Sequence, residues 1–168
     1  MPSLHVPILG TPTPHRSSLW SDEAACGDFA VRLAGHAELR NAFIALHGPL
    51  GAGKTTFVRH LLRGLGVTGR IKSPTYAVLE PYDWPDEAGL VISHFDFYRF
   101  DDPREWAEAG FREIFAEPGL KLVEWPDKAA GMLPPADLEL RIEPVEDQPD
   151  ARRVTLTAAS ATGVALLQ

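Results

Sequence analysis

Cysteine is almost missing from this chain: Cys26 is the only one in 168 residues. A single thiol permits no intrachain disulfide and no cysteine-rich zinc or iron–sulfur site, and it suits a reducing compartment. Asparagine is equally scarce. Asn41 stands alone and is followed by Ala42, so the Asn-Lys-x-Asp signature with which GTPases read guanine is excluded. No apolar run approaches the roughly 20 residues of a membrane-spanning helix. Residues 1–7 carry neither a basic segment nor a long apolar core, so no signal peptide is expected and the chain is placed in the cytoplasm. The six histidines are scattered, with no pair at metal-ligand spacing on one helix, which predicts no protein-held zinc. Positive charge is also in deficit: 16 Lys and Arg against 23 Asp and Glu give a net charge of −7 and a pI near 5.3. Such a chain is a poor grip for nucleic acid by broad phosphate neutralisation. A role in RNA biology is expected to run through a protein partner or a local basic patch. Arg59, Arg63, Arg70 and Lys72 offer such a patch, or simply a solvated face.

Against these absences stands one full motif, Gly48-Pro49-Leu50-Gly51-Ala52-Gly53-Lys54-Thr55, which matches the phosphate-binding P-loop pattern. The apolar run 43–46 before it reads as a buried strand, and residues 56–63 after it read as an amphipathic helix. In that setting the glycines let backbone N–H groups turn inward around a phosphate chain, and the helix N-terminus adds its positive end. The expected nucleotide-binding set is Gly48, Leu50, Gly51, Ala52, Gly53, Lys54, Thr55 and Thr56. Lys54 reaches the β- and γ-phosphates in this reading, and the Thr55 hydroxyl holds Mg²⁺. With guanine recognition excluded, ATP is the expected nucleotide. Asp86-x-x-Gly89 matches a GTPase switch pattern only by chance, since it sits in a Pro-rich turn.

Residues 1–18, rich in Pro, Ser, Thr and His, are expected to form a loosely held arm, with 19–168 as one domain of a size that buries a substantial core. Ser21 followed by Asp22 and Glu23 starts a helix, which the stripe Ala25, Phe29, Ala30, Leu33, Ala34 carries to Gly35. A strand over 42–47 leads to the P-loop and a helix over 53–64, stopped by Gly64, Gly66 and Gly69. A polar loop at 72–75 runs into a strand up to Glu80, residues 81–89 read as a turn, and 90–95 as an apolar strand ending at Asp96; the two strands can pair as a hairpin. Residues 103–117 read as one or two short helices broken at Gly110. Residues 120–123 form a strand that delivers Glu124, and two alternating strands at 137–143 and 152–158 flank an acidic loop, 144–150. The expected fold is α/β: a P-loop NTPase-like three-layer fold, with a mixed central β-sheet and helices on both faces.

A P-loop ATPase needs a further acid at a strand end, to fix Mg²⁺ and a water. Asp96 and Glu124 each follow an apolar run, which places their carboxylates at the C-terminal edge of a sheet, the usual ligand crevice. The alternative for each is a plain ion pair with a neighbouring Arg or Lys.

Four blocks then occur in a fixed order: Gly51-Ala52-Gly53-Lys54-Thr55-Thr56-Phe57, Ser73-Pro74-Thr75-Tyr76, His94-Phe95-Asp96-Phe97-Tyr98-Arg99 and Val123-Glu124-Trp125-Pro126. Together they resemble the TsaE (YjeE) family of small bacterial ATPases of tRNA threonylcarbamoyladenosine synthesis, over about residues 21–160. The resemblance implies slow ATP hydrolysis and association with the TsaD–TsaB pair, which installs the threonylcarbamoyl group on an adenosine beside the anticodon. It implies that Lys54 and Thr55 meet the phosphates and Mg²⁺ and that Asp96 and Glu124 are the acids needed for ATPase function; the expected catalytic set is Lys54, Asp96 and Glu124, with Thr55 at the metal and Glu124 at the metal or the attacking water. It makes residues 73–75 a nucleotide-sensitive switch and Trp125 an aromatic beside the site. Two positions depart from the family pattern. Pro49 stands where Asp is usual, and the first helix has no Thr near Ala25 and Cys26, so no hydroxyl from that helix is expected in the nucleotide pocket.

Phosphoryl transfer is mostly positioning and electrostatics. Arg99 is the best internal candidate for an arginine finger, with a structural pair to Asp96 or Asp101 as its alternative. The chain therefore reads as an Mg²⁺-dependent ATPase that is weak alone and activated by its partner, touching tRNA only indirectly. Two other classes remain open. A small-molecule kinase needs an Arg-rich lid, and 101–117 is mostly acidic and apolar. A nucleotide-gated binding module needs no hydrolysis at all.

Overall fold

The computed structural model describes residues 13–168. In chain order it runs β1 (His15–Trp20), α1 (Glu23–Ala34), β2 (Asn41–His47), α2 (Lys54–Gly64), β3 (Leu79–Asp83), β4 (Val91–Asp96), α3 (Pro103–Glu108), α4 (Phe111–Ala116), β5 (Gly119–Glu124), β6 (Leu138–Val145), β7 (Gln148–Ala158) and α5 (Ala161–Leu166), with 3₁₀ turns at Ala37–Arg40 and Pro126–Ala129. One seven-stranded sheet has the order β1-β7-β6-β2-β5-β4-β3. Strands β6, β2, β5 and β4 are mutually parallel, while β7 and β3 run antiparallel to their neighbours. The mixed α/β sheet expected from the sequence is therefore observed.

Alternation along the strands divides the core into two layers. Ala42, Ile44 and Leu46 of β2, with Leu120 and Leu122 of β5, pack beneath α1 and α2; Phe43 and Ala45 of β2, with Val123 of β5, face the opposite side. Helix α2 earns its place by burying Phe57, Val58, Leu61 and Leu62, one face of a 3.6-residue period. Helix α1 starts where Asp22 accepts the Ala25 N–H at 2.9 Å and buries Cys26, Ala30 and Leu33. On the other side Phe95, Phe97, Phe111, Phe115 and Trp106 form a ring-on-ring cluster, with centroids 5.0–6.0 Å apart. It holds α3 and α4, which part at Gly110 with φ 73°.

The structure departs from the sequence expectation in four places. The arm expected over 1–18 ends early: residues 1–12 lie outside the described residues, and from His15 onward the chain pairs with β7, His15 opposite Thr157 and Trp20 opposite Arg152. Backbone pairing, with Trp20 buried, outweighs a polar composition there. The turn expected to start at 81 starts later, since Pro81 lies inside β3, an edge strand where a missing N–H costs no ladder bond. The loop expected over 144–150 shrinks to a tight hairpin, with Val145 paired to Gln148 and Asp147 at φ 62°. Finally, the chain closes on α5, capped by Ser160, a helix of six residues with no strong apolar stripe to announce it.

Candidate functional site

The parallel strands bring their C-terminal ends to one edge, and the loop 48–53 leaves β2 there. Gly48, Gly51 and Gly53 have φ of 145°, 77° and 111°, a range that side chains rarely adopt. At Gly48 there is also no room, because a methyl group would collide with the Ile142 carbonyl oxygen of β6; at Gly51 and Gly53 a Cβ meets nothing within 4 Å. Helix α2 opens on this loop, with Phe57 N–H donating to Gly53 O at 2.9 Å.

Lys54 sits in the first turn, its side chain turned back over the loop. Its ammonium donates to the carbonyl oxygens of Gly48 and, at 3.4 Å, Pro49. It also lies 3.7 Å from the centroid of the Trp125 ring. Burial holds its pKa below the ordinary value of 10.5, opposed by the nearby charges of Glu124 and Asp96. Trp125 reaches this position through a backbone turn with φ 57°, left-handed for a non-glycine residue.

The two acids lie side by side. Asp96 and Glu124 are register partners at the ends of β4 and β5, on the sheet face beneath α2. The Thr55 hydroxyl donates to both Glu124 oxygens, at 2.9 and 3.1 Å. His94, diagonal to Glu124 and on the same face of β4, brings Nε2 to 2.6 Å of Oε2; its Nδ1 is buried with no hydrogen-bond partner among the described residues. Asp96 accepts the Tyr98 N–H at 3.0 Å and the Thr75 hydroxyl at 3.3 Å, and Thr75 in turn lies 2.8 Å from Ser73 Oγ. Burial pushes the Asp96 carboxyl above its ordinary value, with Glu124 adding to the rise and the Tyr98 N–H opposing it.

A cavity of about 300 Å³ is lined by Leu50, Gly51, Ala52, Gly53, Lys54, Thr55, Thr56, Thr75, Asp96, Tyr98, Glu124 and Trp125. It gathers every site residue expected from the sequence except Gly48, whose carbonyl instead holds Lys54. Leu50 stands 65% exposed at the loop tip and Tyr76 85% exposed beside the mouth. A second cavity of about 480 Å³ adjoins the loop across Gly51–Gly53 and Thr56, walled by Trp20, Cys26 and Arg152 among others. The Cys26 thiol faces this wall from the core, and burial, with help from Glu23, pushes its pKa up to about 12.

Two features of the site carry a partial sequence signal or none. His94 shares the period-2 face of Asp96, so strand alternation placed it beside the acids; its bond to Glu124 needed the register between β4 and β5. Arg152 had no local signal, because its contact is 100 residues away. Arg99, expected either as an arginine finger or as a partner of Asp96 or Asp101, forms no ion pair with either acid among the described residues; its guanidinium lies 4.7 Å from the Tyr76 ring centroid. Arg63 donates to Val67 O and Gly69 O, closing the loop after α2, which reads as structural support more than as part of a basic patch.

Residues 20–154 match the family model described as "Threonylcarbamoyl adenosine biosynthesis protein TsaE". The tRNA threonylcarbamoyladenosine biosynthesis protein TsaE of Haemophilus influenzae is 42% identical over 120 residues, 71% of this chain and 72% of that protein. The protein of the same description from Bacillus subtilis is 37% identical over 115 residues, 68% of each chain. Among solved structures, the crystal structure of Bacillus subtilis YdiB superposes with a TM-score of 0.76 at 28% identity, covering 94% of this chain and 95% of that one.

Proposed function

Because this chain belongs to the TsaE family, we propose that it binds ATP and hydrolyses it slowly in the cytoplasm, as an accessory to threonylcarbamoyl modification of the adenosine beside the tRNA anticodon, acting with the TsaD–TsaB complex. The observation that carries the reading is the hydrogen bond from Thr55 to Glu124, with Asp96 alongside. It joins the first turn of the P-loop helix to two strand-end acids.

The residues present suit a nucleotide with Mg²⁺. Thr55, Glu124 and Asp96 offer an all-oxygen donor set, which fits a hard cation. The loop backbone approaches the cavity at glycines, and Lys54 stands at its floor. When bound, Mg²⁺ neutralises phosphate charge and orients the reacting oxygens. Thr55 and Glu124 would hold it, Lys54 would turn from the Gly48 and Pro49 carbonyls to phosphate oxygens, and Asp96 would order water. Arg99 lies against the exposed Tyr76 ring and not against the acids, an arrangement consistent with slow turnover in the isolated protein and a cation supplied by the partner. The loop 73–76 touches Asp96 through Thr75 and carries exposed Tyr76, so it is suited to report the nucleotide state to that partner. With a net charge of −7, contact with tRNA is expected to be indirect.

One experiment tests this: ATP turnover measured alone, with TsaD–TsaB, and with candidate small-molecule acceptors. The expected result is slow turnover alone and faster turnover with TsaD–TsaB. Acceptor-stimulated ADP release indicates a kinase instead, and no hydrolysis even with the partners indicates a nucleotide-gated binding module.

A further inference from the structure

Arg152 lies on β7, opposite Trp20 of β1, yet its guanidinium leaves that ladder and reaches the P-loop. Its Nε–H donates to the Ala52 carbonyl at 2.7 Å, and Nη2 points at the Gly51 carbonyl at 3.4 Å. Nη1 donates to Pro149 O and Ala151 O, both at 2.8 Å. One planar group thus serves four backbone carbonyls on two segments. Only arginine has the donor count, fixed fork and permanent charge for that.

The loop needs such a strap. Gly51 and Gly53 flank Ala52, both with positive φ and neither with packing around the position of a Cβ. Glycine is the residue with most backbone freedom to lose, so this stretch is the part of the loop that its own sequence restrains least. Ala52 N–H is tied to Pro49 O at 3.1 Å, which leaves the Ala52–Gly53 peptide to be set from outside. A trans peptide points its N–H opposite its C=O. With the Ala52 carbonyl held by Arg152, the Gly53 N–H is directed away from that guanidinium, and Gly53 is part of the lining of the cavity that holds Lys54 and Thr55.

We propose that Arg152 is a positioning residue for the phosphate chain: it fixes the Ala52–Gly53 peptide so that the loop is set to receive the β-phosphate before the nucleotide arrives. Arg152 touches no phosphate in this role. Its effect is pre-organisation, which raises affinity by removing the cost of ordering the loop on binding. The proposal rests on the nucleotide reading above. The competing role is purely structural, stitching the β6–β7 hairpin to the loop with no effect on ligand.

The test is calorimetric titration of the full chain with Mg²⁺ plus ADP, and separately with AMP, which lacks the β-phosphate. Arg152→Ala, Arg152→Lys and Arg152→Gln are compared with the unaltered protein, and thermal unfolding identifies the folded variants. The loss of two charge-assisted bonds to the loop is expected to weaken ADP binding at least about tenfold, and AMP binding by much less. Arg152→Lys should stay weak, because an ammonium keeps the charge but cannot span both segments. A folded variant with unchanged ADP affinity overturns the proposal. So does full rescue by Arg152→Lys, which would make the effect one of charge alone, or an equal loss for ADP and AMP, which would move the effect to the nucleoside. If Arg152→Ala does not fold, the Lys and Gln variants give the same readout. An unaltered protein that binds neither nucleotide overturns the underlying reading, a different failure from the three above.

Discussion

The Thr55 hydroxyl donates to both carboxylate oxygens of Glu124, at 2.9 and 3.1 Å, across 69 residues of sequence. This bond closes the site, because it ties the helix that follows the P-loop to the C-terminal end of β5. Glu124→Gln keeps the shape and one acceptor but removes the charge. Nucleotide binding is expected to persist, while turnover falls at least about tenfold, equivalent to ~1.4 kcal/mol of barrier. Parallel measurements of ADP affinity and single-turnover hydrolysis check this, and unchanged turnover would make Glu124 a structural acid and raise Asp96 in its place.

Lys54 is held by loop carbonyls and the Trp125 ring, so removing it takes a cation from the cavity floor and little from the core. Lys54→Ala is expected to abolish ATP hydrolysis while the thermal unfolding midpoint stays close to that of the parent. Burial lowers the Lys54 pKa from 10.5, with Glu124 and Asp96 opposing. Its charge is therefore lost, as pH rises, before that of an ordinary lysine, and nucleotide affinity should already be in decline as pH approaches 10.5. A flat affinity up to that pH would remove Lys54 from phosphate binding.

Asp96 is a desolvated carboxylate beside another acid, and its pKa is raised mainly by burial. The folded state therefore binds its proton more tightly than the unfolded state does. The contribution of Asp96 to stability is fullest below the ordinary value of 3.8 and is lost as pH rises through the raised folded value. Asp96→Asn is isosteric and keeps an acceptor for the Tyr98 N–H. It is expected to raise the unfolding temperature at neutral pH, with the gain vanishing as pH falls toward 3.8, and to depress ATP turnover. Thermal melts of both proteins across that pH range measure it; a variant less stable at neutral pH contradicts the sign.

Thr75 bridges Asp96 and Ser73, so it is the hydroxyl that links the loop 73–76 to the acids. TsaD–TsaB should bind more tightly in the presence of a non-hydrolysable ATP analogue than with ADP, and Thr75→Ala should narrow that gap. Equal affinity of the parent protein in both nucleotide states would sink the switch while leaving the ATPase reading standing.

Gly48 faces the Ile142 carbonyl with no space for a side chain, at φ 145°. Gly48→Ala is expected to destabilise the chain by about 1–3 kcal/mol from backbone strain alone, with a further cost from the collision. Urea unfolding gives the number, and a loss below about 0.5 kcal/mol would show that the loop has another accessible path.

The site was readable where chemistry is local in sequence. The P-loop, the acids ending two apolar runs and the helix after Gly53 each carry their own signal within a few residues. The alternation of β6 and β7 was equally visible, but not the point where they turn, because Asp147 accepts a left-handed conformation that its neighbours do not announce. Strand β1 was hidden for a different reason. Its residues are exposed up to Trp20, and only backbone pairing with β7, more than 130 residues away, makes it a strand. Arg152 belongs with β1: its meaning comes entirely from which segment lies across from it.

The lone thiol also has a practical consequence. Cys26 is buried, and with a pKa of about 12 it carries almost no thiolate at neutral pH, the form that alkylating reagents attack. A cysteine placed at exposed position 76 would then be the one side chain that takes a maleimide dye or spin label. Distances from the rim of the cleft to a partner become measurable in the otherwise natural chain, with its own thiol left in place as a silent background.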